Sequence, residues 1–389
     1  MTTQNHILIL GAGFGGLASA NLLRKGLPPE HQITVIDKNQ YFMMGLVNLW
    51  ILSGTRRLED SRVAFNKLEN KGIRFLNDEI IGIDLSRNNV TTKNNHKLEY
   101  DYLVVALGAE YVPDRINGFE NNGGFNLYDA HQVPNLRQKI LSLKSGRIVI
   151  CITDIPYKCP PAPYEASLII NDILVKNGTR DSIDLGMYVP TPISLPVAGT
   201  KVSQDVVNLL SDNHINFHPL HKLKKVLDKK TIEFENGNKT NYDLLVIIPP
   251  HQVPHVIKNS DLLRDGNQNW INVDRFTLRT KYKNVFAIGD VTEIRLDQMI
   301  TVPKAGIFAE GEAKIVSEQI VNEITNNKVD SKFDGKGFCF MEIGNEKAGY
   351  IHVDFYNEAG PITTLDRPSQ KSYQKKLDFE RSRINSWLL

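Results

Sequence analysis

Uninterrupted apolar runs, rather than alternating ones, mark the strands that this chain predicts. Ile7-Leu8-Ile9-Leu10 and Ile33-Thr34-Val35-Ile36 read as strands covered on both faces, the pattern of a parallel sheet. Gly11-Ala12-Gly13-Phe14-Gly15-Gly16 follows the first and opens a helical stretch running through Leu22 and Leu23, and the second strand ends on Asp37. A glycine cluster alone says little. Set between a strand and a helix, with an acid about twenty residues on, it points to a dinucleotide. Gly11 permits the tight turn, Gly13 lets the backbone approach a pyrophosphate, and Gly16 lets the helix pack close to the strand. The helix N-terminus offers N–H groups and a partial positive charge to the phosphates, and Asp37 can hold two ribose hydroxyls.

The pattern then repeats. Residues 90–108 form a polar hairpin feeding Tyr100-Asp101-Tyr102-Leu103-Val104-Val105, and residues 231–250 do the same with Tyr242-Asp243-Leu244-Leu245-Val246-Ile247. The spacing from Ile7 to Tyr102 is 95 residues, and from Ile148 to Leu244 it is 96. Two copies of one dinucleotide-binding fold account for this.

Composition acts mainly by exclusion. The 389 residues, 41% hydrophobic and 23% charged, are enough for two or three packed domains. A formal charge of +2 without a long basic block speaks against nucleic acid as a partner. No apolar run reaches the ~18–20 residues that cross a bilayer. The polar residues 1–5 predict no secretion signal. Three cysteines make no disulfide framework and suit a reducing, cytoplasmic compartment. No metal-ligand spacing is present, so no metal is expected.

Asn284-Val285-Phe286-Ala287-Ile288-Gly289-Asp290 reads as a buried strand ending in Gly-Asp, whose carboxylate suits the ribityl hydroxyls of a flavin dinucleotide. Together with the first glycine turn and the 102–108 strand ending Ala106-Leu107-Gly108-Ala109, it resembles the two-dinucleotide-binding-domain flavoproteins, the disulfide-reductase-like superfamily. Leu107 departs from the threonine or serine usual there. The resemblance implies FAD and an α/β fold of two Rossmann-like dinucleotide-binding domains plus a small C-terminal hairpin-and-helix domain. The expected division is an FAD domain from residues 1–112 and 251–325, a second Rossmann-like domain over 113–250, and a C-terminal domain over 326–389. The expected cofactor contacts are Gly11, Gly13, Phe14, Gly15, Gly16, Asp37, Lys38, Ala106, Gly108, Gly289, Asp290 and Lys304.

In that superfamily the second copy binds NADH or NADPH through its own glycine turn. Here no glycine lies between residues 147 and 177, and the strand at 185–189 ends without an acid for a ribose or an arginine for a 2′-phosphate. Side chains at the turn would block the close approach of a pyrophosphate. The fold is therefore expected to persist without its nicotinamide site. In place of the glycines stands Tyr157-Lys158-Cys159-Pro160-Pro161-Ala162-Pro163-Tyr164-Glu165-Ala166. Cys159 precedes a helix N-terminus and follows Lys158, features that favour a thiolate, and Glu165 falls in the first turn as a proton acceptor. Cys339 sits in the alternating strand Gly337-Phe338-Cys339-Phe340-Met341-Glu342-Ile343, ahead of a Gly344-Asn345 turn and a strand returning through Val353. Cys151, inside an apolar strand, reads as a small hydrophobe.

The Lys-Cys-Pro-Pro-Ala-Pro-Tyr-Glu loop, the hairpin cysteine and Val302-Pro303-Lys304-Ala305-Gly306 together resemble sulfide:quinone oxidoreductases and the flavoprotein subunit of flavocytochrome c sulfide dehydrogenase. The resemblance covers nearly the whole chain. It implies that Cys159 and Cys339 form a redox-active disulfide or polysulfide bridge at one face of the flavin, with sulfide and quinone as substrates and room for a homo-oligomer. Lys304 would stabilise negative charge on the reduced flavin. A quinone pocket would be lined by Phe338, Phe355, Tyr356 and Phe379. His131, at a helix start, is a weaker site candidate whose ordinary role is structural.

Residues 371–389 predict a helix with five basic side chains against two acidic ones, ending Trp387-Leu388-Leu389. Such a helix suits an anionic membrane surface, at the inner face of the cell membrane, as an alternative to packing on the body. Three rival readings remain. A flavocytochrome-type dehydrogenase would carry a flavin-tethering cysteine near residues 41–44, where Met43 and Met44 stand. A type II NADH:quinone oxidoreductase would need the second glycine turn. A non-enzymatic flavin-bound sensor would be indifferent to loss of either cysteine.

Overall fold

The computed structural model describes residues 4–263, 269–296, 300–328 and 330–389, so residues 1–3 of the polar N-terminal stretch lie outside it. Two five-stranded parallel sheets organise the chain. The first runs Val285–Ala287, Tyr102–Val105, His6–Leu10, Gln32–Asp37, Arg74–Asn77, and Ile7 to Leu10 are fully buried in it. The second runs Phe125–Asn126, Leu244–Ile248, Gly146–Ile152, Ile183–Tyr188, Asn216–His218. Ile7 stands opposite Tyr102 and Ile148 opposite Leu244, the pairs whose spacing revealed the repeat. Each sheet has its own antiparallel meander, formed by Ile80–Asp84, Asn89–Thr92 and Lys97–Glu99 in one copy and by Leu223–Asp228, Thr231–Phe234 and Lys239–Asn241 in the other. Where the chain crosses between the two sheets, Glu110–Tyr111 pairs antiparallel with His251–Gln252.

The C-terminal hairpin forms as Lys336–Gly344 and Lys347–Asp354, and it gains a third strand, Ile362–Leu365. The helix Gln370–Leu388 then begins at Ser369, whose hydroxyl accepts the Ser372 N–H.

The end of this helix packs on the body. Trp387 and Leu388 are buried, and Trp387 meets the rings of Phe14 and Phe42 at 5.4 and 6.1 Å. Each apolar side chain of that size contributes about 1.5–3 kcal/mol when buried, so these two side chains anchor the helix to the body. Two of the five basic side chains also face inward: Lys376 is buried between carboxylates, and Arg383 pairs with Glu310 at 3.1 Å, while Lys371, Lys375 and Arg381 stay exposed. Among the described residues no helix is long and apolar enough to cross a membrane.

Candidate active site

The first glycine turn forms a cradle. Gly11 adopts φ 97°, and a Cβ there would lie 2.4 Å from the Ala106 carbonyl oxygen; one on Gly16 would lie 1.8 Å from the Gly11 carbonyl oxygen. Both glycines are therefore demanded by close packing of strand, turn and helix. Gly15 packs on Ile288. Gly13 differs: nothing lies within 4 Å of its Cβ position, and no side chain caps the Phe14–Gly26 helix that it opens. Free amides facing open space suit a pyrophosphate. The Asp37 carboxylate accepts the Ala12 N–H at 2.7 Å and the Asn39 N–H at 2.8 Å, which ties the turn to the second strand's end; Lys38 stands exposed beside it. Gly108, at φ 68°, likewise faces open space.

At the far end Gly289 donates its N–H to buried Glu312 at 2.6 Å, which orients the Gly-Asp turn. The Asp290 carboxylate takes no hydrogen bond among the described residues. Burial raises its pKa, while Lys158 and Lys304 pull the other way. A half-buried carboxylate with open lone pairs beside two cations fits a ribityl chain, so the residues present fit FAD. Gly13→Val is expected to give folded protein that has lost most of its flavin, because a branched side chain fills the cradle. Flavin absorbance per protein checks this, and full occupancy would contradict it.

Two of the expected contacts take other tasks. The Phe14 ring turns to the C-terminal helix, stacking on Phe379 at 6.1 Å, and Gly306 is small enough to admit it. The Lys304 ammonium donates to the Asp290 and Thr292 carbonyls, both at 2.8 Å, and lies 3.4 Å above the Trp270 ring. Two of its three donors thus hold the Gly-Asp turn, and burial lowers its pKa to about 8.

The helix start in the second copy offers a phosphate little to bind. The helix Ala162–Lys176 starts with Pro163 in its first turn, which has no N–H. The neighbouring amides are already used: Ala162 donates to Cys159, and Tyr164 and Glu165 both donate to Pro161. The Tyr164 hydroxyl also ties the loop after the Ile183–Tyr188 strand to this helix through the Ser194 carbonyl. No donor is left for a phosphate at this helix start.

Cys159 occupies the turn before that helix with φ 52°, in the left-handed region that costs a non-glycine residue of order 1–3 kcal/mol. Its N–H donates to the Lys304 carbonyl at 2.6 Å. Cys339 lies on Lys336–Gly344, where burial first and then a charge on Cys159 raise its pKa. Both are free and partly exposed; Cys151 is buried in the second sheet, opposite Tyr188. The expectation of a thiolate at Cys159 is reversed. Burial, reinforced by Glu165, pushes its thiol up to about 12 against the weaker pull of Lys376 and Lys158.

A buried charge cluster supports this pair, and sequence reasoning missed most of it. The Lys376 amine donates to Glu165 and to Glu342, both at 2.7 Å. Glu165 also accepts the Glu342 N–H at 2.8 Å, and the Trp50 indole donates to Glu342 at 3.1 Å. None of the four side-chain-bearing residues exceeds 3% exposure. Burial and the Glu342 carboxylate raise the pKa of Glu165 despite Lys376; burial opposes the charge on Lys376, but the two carboxylates outweigh it. The available signal was spacing: Ser372, Lys376, Phe379, Glu380, Arg383 and Trp387 form one helical stripe.

The aromatic side chains divide into two groups. Phe338 and Phe379 come together at 5.6 Å, joined by Phe340 and Tyr350. Phe355 packs instead on Phe308, and Tyr356 on Phe276 and Phe333, so these two leave the expected pocket. His131 is exposed, 3.4 Å from Arg62, and takes no part in the site.

The chain is 29% identical over 381 residues to the mitochondrial sulfide:quinone oxidoreductase of Dictyostelium discoideum, covering 94% of this chain and 81% of that one. It is also 29% identical over 362 residues to the sulfide-quinone reductase of Aquifex aeolicus, covering 90% and 83%. The solved sulfide:quinone oxidoreductase of Aquifex aeolicus superposes with a TM-score of 0.88 at 27% identity, over 99% of this chain and 92% of that one. The pattern of the pyridine nucleotide-disulphide oxidoreductases matches residues 5–151 and 188–312, and the stretch it passes over holds the proline-stiffened Cys159 loop. The chain belongs to the pyridine nucleotide-disulphide oxidoreductase family and is an FAD-dependent oxidoreductase similar to sulfide:quinone oxidoreductases.

Proposed function

We propose that this protein oxidises sulfide to polysulfide or sulfur through Cys159 and Cys339 and passes the electrons to quinone. The observation that carries the reading is the junction between the two cysteine-bearing elements: Glu165, at the start of the helix that follows Cys159, accepts the backbone N–H of Glu342, three residues beyond Cys339. Similarity to sulfide:quinone oxidoreductases over most of the chain supports the substrate class.

Hydrosulfide attacks a bridge between the two cysteine sulfurs. A new sulfur–sulfur bond forms to one cysteine, the bridge bond breaks, and the other sulfur leaves as a thiolate. Burial raises the pKa of both thiols. A thiolate formed there is high in energy and strongly nucleophilic, since intrinsic nucleophilicity rises with thiol pKa. Glu165, whose charge acts on both thiols, has its pKa raised by burial and is the carboxylate placed to accept a proton there. When bound, FAD supplies the oxidant that accepts the electron pair from sulfide and yields it to quinone. On the strand face away from Cys339, Phe338, Phe340, Tyr350 and Phe379 offer an apolar aromatic surface suited to a quinone ring.

An anaerobic comparison of reductants tests the reading. Sulfide is expected to bleach the flavin within the dead time of manual mixing, while NADH and NADPH leave it oxidised because their phosphate donors are gone. Bleaching by NADH and not by sulfide would overturn the proposal in favour of a type II NADH:quinone oxidoreductase.

A further inference from the structure

Beside Cys159 lies a second group of polar side chains that the chemistry above does not use. His251 is only 8% exposed, and its Nε2 is one of the few buried side-chain atoms with no hydrogen-bond partner among the described residues. Its Nδ1 lies 2.8 Å from the Pro249 carbonyl. A carbonyl only accepts, so Nδ1 carries the proton and Nε2 presents a bare lone pair. The imidazole is neutral: burial first, then the charge of Lys158, lowers its pKa to about 3. The structure thus buries an acceptor that lacks a donor, an arrangement costly enough to call for an occupant.

The surroundings specify that occupant. The ring is held edge-to-face against Tyr111 at 5.0 Å and Tyr128 at 5.6 Å. The Lys158 ammonium lies 4.7 Å above the Tyr111 ring, and the Tyr128 hydroxyl donates to the Lys158 carbonyl at 2.7 Å. Burial opposes the charge on Lys158, but Tyr111 and Asp290 outweigh it, so the amine stays cationic. The Lys158 carbonyl that accepts the Tyr128 hydroxyl belongs to the residue just before Cys159, which places the group beside the cysteine loop. A ligand suited to this place donates one hydrogen to Nε2 and bears negative charge for the lysine. Hydrosulfide meets both conditions.

We propose that His251 and Lys158, braced by Tyr111 and Tyr128, form the subsite that captures hydrosulfide beside Cys159. The imidazole accepts the S–H, the ammonium balances the charge, and the sulfur lone pairs stay free to attack. This inference rests on the sulfide-oxidising reading.

The test is anaerobic titration of the FAD-loaded protein with sulfide, following the rate and extent of bleaching together with flavin content. His251→Asn keeps a donor for the Pro249 carbonyl but removes the Nε2 acceptor; His251→Gln restores an acceptor near that position. His251→Asn is expected to need about tenfold more sulfide for half-maximal bleaching, the scale of one hydrogen bond to a charged ligand. Its limiting rate and flavin content should match wild type, and His251→Gln should recover part of the loss. Lys158→Met should weaken sulfide binding further. An unchanged sulfide dependence in His251→Asn would overturn the subsite. Loss of flavin from that variant would overturn it too, by placing the orphan nitrogen on the cofactor. Wild-type protein that sulfide fails to bleach would instead defeat the underlying reading, and the subsite with it.

Discussion

Cys339→Ser is expected to abolish sulfide-driven bleaching while leaving FAD bound, and Cys159→Ser is expected to do the same. A hydroxyl can neither bridge to a second sulfur nor carry a persulfide, so loss of either partner removes the group that hydrosulfide attacks. The fall should be on the order of 10³-fold or more, the scale on which a covalent nucleophile contributes. Neither thiol lies among the residues that build the FAD cradle, so flavin content should not change. Cys151 supplies the control. It is fully buried in the second sheet, away from the pair, and burial raises its pKa. Cys151→Ser should bleach normally, at some cost in stability from burying a hydroxyl. Stopped-flow absorbance of the three variants checks the set. Undiminished turnover in Cys339→Ser would leave only the fold and the flavin.

Lys376→Met is expected to lower stability by about 3–5 kcal/mol, the penalty for stranding buried charge. The amine is the only cation that donates hydrogen bonds to Glu165 and Glu342 among the described residues, and all three are buried. Without it two carboxylates confront each other across the Glu342 N–H bond. Adding Glu342→Gln should recover part of the loss, because Glu165 alone can become neutral by taking up a proton. Urea denaturation of the single and double variants measures both effects. A single variant as stable as wild type would show that water or rearrangement already satisfies the carboxylates. The C-terminal helix is thereby a structural part of the site: Lys376 reaches the cysteine-bearing elements, and Glu380 of the next turn pairs with Arg56 at 3.0 Å.

The fold was legible because its signals are local and periodic. A strand buried on both faces needs an apolar run, and a glycine turn under a strand end needs Gly11 and Gly16 whatever surrounds it. The spacings of two strand pairs, alike to within one residue, predicted the pairing of Ile7 with Tyr102 and Ile148 with Leu244. The shortage of free amides at the second helix start was legible for the same reason, since proline removes an N–H wherever it stands. Charge was harder to read. Lys376 looks like one more solvated lysine until its two carboxylates arrive from 34 and 211 residues away. Nothing in the sequence around Lys304 signals that the carbonyls of the turn it follows take two of its donors. At Cys159 the sequence neighbours predicted a lowered pKa, whereas burial and the Glu165 charge, both tertiary, set the opposite direction. His251 carried no signal beyond its place between prolines; its importance lies in a missing hydrogen bond that only the fold reveals.

The central claim is that Cys159 and Cys339 act as one bridged pair, and peptide mapping of sulfide-treated, air-oxidised protein tests it most directly. The protein would be alkylated under denaturing conditions without reductant, digested, and analysed by mass spectrometry. The account predicts a Cys159 peptide joined to a Cys339 peptide through two or more sulfurs, released by reductant, with Cys151 alkylated as a free thiol. Recovery of Cys159 and Cys339 as separately alkylated peptides, with no joined species, would contradict it.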